Sequence, residues 1–100
     1  MEAHMRDPIV VYWLRRLNAT LTYRVMPEAV GAIDLLTRAV DVDIDATSAE
    51  QRCTAMHEMA HLVLGHGEPR DEREYEAMED EANAWAADKL IPDWLLSYAL

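Results

Sequence analysis

Residues 53–67, CTAMHEMAHLVLGHG, place His57 and His61 four apart, with Glu58 beside the first, in a stretch whose apolar residues keep helical spacing. On a helix, positions four apart share a face and lie about 6 Å from one another. Two unpartnered imidazoles on an apolar face cost free energy, and coordination of a metal ion removes that cost. Zinc takes imidazole nitrogen at about 2.0–2.1 Å, and a catalytic zinc site keeps three protein ligands and leaves its fourth place to water. Glu58 is rotated about 100° from His57. It can therefore reach that water without being a ligand, which is the general-base position of an HExxH motif.

The elements around this helix are bounded by recognisable signals. Ser48 with Gln51 three residues later is a capping-box pattern, Cys53, Met56, Ala60 and Leu64 form the apolar stripe, and Gly65 ends it. A second helix is predicted from Asp71, with Glu74 at the matching position, through Tyr75, Met78, Ala82, Trp85 and Ala86 to Ile91, before Pro92. DWLLSYAL, residues 93–100, suits a short last helix that would pack Trp94 on the rest. Upstream, PIVVYWLRRLN (residues 8–18) opens with proline at a first helical position. TLTYRVM (20–26), GAIDLL (31–36) and RAVDVDID (38–45) read as strands, the last with Val40, Val42 and Ile44 on one face and three aspartates on the other. Strands first and helices after give an α+β class. The Val40-Asp41-Val42-Asp43 segment is read as an edge strand. Its charge either guards the edge against aggregation or accompanies pairing with an extended substrate rich in basic residues.

A third metal ligand has to come from outside the first helix. An HExxHxxGxxH site would need glycine at 64 and histidine at 67, where the chain has Leu64 and Gly67. In EDEANAWAADKLIP, Glu79 and Asn83 are four apart on the face that carries Tyr75 and Ala86, so Glu79 is the preferred ligand over Glu76 or Glu81. Asn83 is placed to hold one ligand histidine through its second ring nitrogen. His66, just past the helix end, suits the negative end of the helix dipole. His66, Tyr75 and Tyr23 are the rival candidates for a hydrogen-bond donor to a tetrahedral oxyanion, and the sequence does not choose among them. Cys53, one turn before His57, is read as a small buried hydrophobe.

Composition narrows the partners. One hundred residues suit one domain spanning 1–100. The net charge of −10 is concentrated in the second half and repels phosphate backbones, so direct nucleic-acid binding is disfavoured and a basic protein or peptide is attracted. No apolar run approaches a membrane span. One cysteine and no basic-then-apolar leader suit a cytoplasmic setting.

HEMAHLVLGH followed by EDEANAWAADKLIP resembles the ImmA/IrrE family of zinc metallopeptidases, and GAIDLLTRAVDVDIDATSAEQRC resembles the hairpin and lead-in before that family's active helix. The resemblance spans about residues 31–92. It implies one zinc ion per chain on His57, His61 and Glu79, with Glu58 as general base and Asn83 behind the ligands. It also implies a zincin-like fold, with an N-terminal helix and a small twisted antiparallel sheet packed on the HExxH helix and the helix after it. Such proteins are typically cytoplasmic, often belong to phages or mobile elements, and cut helix-turn-helix repressors. The expected function is therefore a zinc endopeptidase acting on such a repressor or a similar regulatory protein, in an oligomeric state the sequence leaves open. The alternative is a module that grips its partner without cutting and uses zinc as a structural staple.

Overall fold

The computed structural model describes residues 7–91, and the helix expected over residues 93–100, with Trp94, lies outside them. Helix α1 spans Pro8–Arg16. Asp7 starts it by accepting from the backbone N–H groups of Ile9 and Val10, and pairs with Arg52 further along the chain. The helix closes at Leu17, and Asn18 then turns the chain at φ 54°. Three strands follow: β1 (Thr20–Arg24), β2 (Gly31–Asp34) and β3 (Ala39–Asp43). Asp34 shapes the turn between β2 and β3 by accepting from the amides of Leu36 and Thr37. These two bonds stabilise the ionised carboxylate and hold the Asp34 carboxyl below its ordinary range.

The strand order is β1-β3-β2. β2 and β3 are antiparallel, with Ile33 opposite Val40, whereas β1 runs parallel to β3, with Leu21 opposite Val40. Two expectations are corrected here. The sheet is mixed rather than antiparallel, and the segment Val40, Asp41, Val42, Asp43 is the central strand rather than an edge open to substrate. Val40 and Val42 are fully buried on the face toward the helices. On the same strand Asp41 accepts a charge-assisted bond from Arg24 of β1 at 3.0 Å. The alternating aspartates thus mark the outer face of a strand with neighbours on both sides.

Helix α2 spans Ser48–Val63 and α3 spans Glu72–Leu90. The capping box of α2 sits one residue earlier than the sequence predicts: the Thr47 hydroxyl accepts from the Glu50 amide, and the Glu50 carboxylate accepts from the Thr47 amide. Gln51 is used differently, donating its side-chain amide to the Asp43 carbonyl and tying α2 to the end of β3. Asp71 caps α3 as expected. The Glu74 side chain reaches back to the amide and guanidinium of Arg70.

The core lies between the sheet and these helices, with Val10, Val40, Val42, Ala55, Met56 and Met59 fully buried. Burying each methionine contributes on the order of 1.5–3 kcal/mol. Trp13 and Trp85 pack against this cluster and meet edge to face at 4.9 Å, joining α1 to α3. The buried stripe of α2 is Ala55, Met56, Met59 and Ala60. Cys53 is exposed, which corrects its reading as a buried hydrophobe.

Gly31 opens β2 where the strand passes over α2. A Cβ there would collide with the Thr54 methyl and press on the Asp41 carbonyl, 3.2 Å away. Gly31→Ala should therefore lower stability by about 1–3 kcal/mol, seen as a drop in melting temperature. Adding Thr54→Ala should restore most of the loss, and equal melting temperatures for Gly31→Ala and the parent chain would refute the close approach.

Candidate metal centre

Regular helix geometry sets two imidazoles of α2 side by side, with the rings of His57 and His61 at 5.0 Å between centroids. Packing of α3 on α2 brings Glu79 up against both. One carboxylate oxygen lies 3.1 Å from His57 Nε2 and the other 3.2 Å from His61 Nε2. The three side chains are half-buried, and their ligand atoms lie within 4.8 Å of one another. Four ligands around a tetrahedral ion at bond lengths of about 2.0–2.1 Å would be separated by roughly 3.3 Å, so the spacing here suits a first-row divalent cation. Glu76 is exposed and outside this cluster, and Glu81 points its carboxylate elsewhere, at His66.

The hydrogen bonds around His57 fit the same ion. Asn83, one turn beyond Glu79, presents its amide oxygen to His57 Nδ1 at 2.7 Å. An amide oxygen can accept and not donate, so Nδ1 carries the proton and a neutral His57 has a bare Nε2. That lone pair faces a carboxylate oxygen that has no proton to offer. Two acceptors in contact repel unless a cation lies between them, and a metal ion satisfies both. Burial pushes the His61 imidazole below its ordinary pKa, which favours the neutral form that can bind metal.

Glu58 lines the same open cleft of about 550 Å³, together with both histidines, Glu79, Tyr75, Val30 and Gly31 at the head of β2. Burial raises its pKa above the ordinary carboxylate range. A positive charge on His57 would work against this rise, and the charge of Glu79 adds to it. A smaller cavity of about 170 Å³ opens on the other side of His61 and Glu79, walled by Ile33, Leu35 and Met78.

The three oxyanion candidates are placed very differently. Tyr75 is half-exposed and lines both cavities. Tyr23 lies on β1, packed against the core, and is outside both cavities; burial raises its pKa. The ring of His66 is taken up by two contacts, Nδ1 with His61 Nδ1 at 2.9 Å and Nε2 with Glu81 at 2.7 Å, which leaves no N–H for an oxyanion. The sequence reading missed three participants in this region: the His66–Glu81 pair, Gly31 as the floor of the cleft, and Cys53 on its wall. A glycine at the head of a predicted strand is itself a sign of close backbone approach, and that was the available clue for Gly31.

Adding a divalent first-row cation to metal-free protein should raise the melting temperature, since a ligand at a hundredfold excess over its Kd contributes about 2.7 kcal/mol to the folded state. Glu79→Ala and His57→Ala should each remove most of that shift. A shift of full size in both variants would place the cation elsewhere.

Residues 16–100 match the IrrE N-terminal-like domain, Peptidase_M78. Among solved structures, the chain is similar in fold to the metallopeptidase zymogen of Pyrococcus abyssi abylysin, with a TM-score of 0.50 at 12% identity, covering 85% of this chain and 88% of that one. Comparison with curated proteins gives no match. The abylysin likeness concerns the fold, whereas the domain match takes in both site helices, and on that match the chain belongs to the IrrE N-terminal-like domain family of metallopeptidase type.

Proposed function

We propose that the protein is a zinc-dependent endopeptidase. The observation that carries this reading is Glu58, a carboxylate of raised proton affinity that shares one open cleft with a two-imidazole, one-carboxylate ligand set. Nitrogen and oxygen donors in this number suit zinc with a place left for solvent. Bound zinc supplies Lewis acidity to a water molecule and to the scissile carbonyl.

The chain's own residues account for the remaining steps. Glu58 takes a proton onto its carboxylate as water attacks and passes it to the departing amine nitrogen. Asn83 keeps the His57 ring turned so that Nε2 faces the ligand cluster. The Tyr75 hydroxyl, on the cleft wall, is the remaining candidate to donate to the oxyanion. β2 has β3 on one side and no strand on the other among the described residues. β1 is an edge as well, but β2 is the one that lines the cleft, through Gly31, so its backbone is the one an extended substrate would pair with, in place of the central β3.

The net charge of −10 favours a basic protein as substrate, and a helix-turn-helix repressor from a phage or mobile element, basic where it meets DNA, has that character. Incubating the zinc-loaded protein with such a repressor should yield chelator-sensitive cleavage products by mass spectrometry. Glu58→Gln should reduce turnover by about 10²–10⁴-fold with its zinc content unchanged. Loss of zinc in that variant would make Glu58 a ligand, and a stable uncut complex with the parent protein would favour the binding module instead.

A further inference from the structure

We propose that Glu81 and His66 form a positioning relay that sets the tautomer of His61, so that a carboxylate remote from the ligand cluster determines whether His61 Nε2 is free to bind metal. This rests on the metal-centre reading above.

The relay depends on how α2 ends. Gly65 takes φ +69°, a left-handed conformation that glycine adopts without strain, and turns the chain back. The His66 amide then bonds to the His61 carbonyl at 3.0 Å, and the two rings stack obliquely, 5.1 Å between centroids. The His66 side chain is only 8% exposed, enclosed between α2 and α3, while Glu81 is 63% exposed.

Proton placement follows from the far end inward. The Glu81 carboxylate accepts and cannot donate, so His66 Nε2, at 2.7 Å, carries a proton. A neutral His66 then has a bare Nδ1. That nitrogen lies 2.9 Å from His61 Nδ1, and two ring nitrogens at that distance share one hydrogen, which must come from His61. His61 is therefore the Nδ1–H tautomer, with its Nε2 lone pair directed at the cluster with Glu79. His57 reaches the same state in one step through an amide oxygen, and His61 reaches it in two, through an imidazole and a carboxylate. Without Glu81, His66 can turn its proton to Nδ1 and donate to His61. That moves the His61 proton to Nε2 and blocks the ligand position.

The test reads tautomers in the metal-free chain and zinc affinity separately. Long-range ¹H–¹⁵N correlation spectra should show His61 protonated at Nδ1 in the parent protein and in Glu81→Gln, whose amide oxygen can still accept from His66. In Glu81→Ala the Nδ1–H population should fall. Competition with a chromogenic chelator should show zinc bound about 10–100-fold more weakly by Glu81→Ala and His66→Ala, with Glu81→Gln within about threefold of the parent. Because Glu81 is largely exposed, its alanine variant separates the relay from any folding defect in His66→Ala.

An Nε2–H form of His61 or a doubly protonated His66 in the parent chain would overturn the relay, as would Glu81→Ala variants with parental tautomer and affinity. If the parent chain shows the Nδ1–H tautomer and Glu81→Ala loses it, yet neither binds zinc, the relay stands and the metal-centre reading falls.

Discussion

The close packing of α3 on α2 puts a carboxylate against two imidazoles whose outer nitrogens are already committed, and the site exists because of that contact. The buried residues of α3 are Ala82 and Ala86, and those of α2 include Ala55 and Ala60. Small side chains let the helix axes approach, and Glu79 can then span both ring nitrogens with its two oxygens. Without a cation, the arrangement brings electron pairs together in a half-buried place. A cation held between these groups would relieve a repulsion that folding creates, so its binding would be linked to the stability of the helix pair.

Much of this could be read from the residues. The i, i+4 spacing of the histidines is local helix geometry, and the choice of Glu79 over its acidic neighbours follows from the face it shares with Asn83. What could not be read depends on contacts between distant segments. The β2–β3 hairpin is visible as two strands and a short turn, but nothing in the alternating pattern says that β1 will lie beside β3 and parallel to it. That pairing made a central strand of one whose aspartates suggested an edge. The one-residue shift of the α2 cap reflects two adjacent good caps, Thr47 and Ser48, decided by Gln51 being occupied with the end of β3. The His66–Glu81 contact needs the turn at Gly65 and the facing turn of α3 together, so helical periodicity alone could not show it.

The sheet and the helices contribute different things to the cleft. α2 and α3 provide the titratable groups, and β2 provides a wall of backbone with Gly31 lying almost on α2. The absent side chain at position 31 is what lets that wall come so near Glu58. On the far side of β3, Arg24 and Asp41 compensate one another, away from the chemistry. The charge borne by the chain as a whole acts at longer range, on encounter more than on the reaction.

The candidate ligand residues and the groups that would orient them all fall between His57 and Asn83, on two consecutive helices and the loop joining them. The His57–Glu79 contact spans 22 residues, so assembling the site closes a loop of about that length. The β1–β3 ladder pairs residues 19 apart, from Thr20 with Ala39 to Arg24 with Asp43, and closes a loop of similar length. Neither unit therefore has an advantage in chain entropy over the other, and a cation held by the helix pair would act on the finished fold by mass action rather than by ordering its assembly.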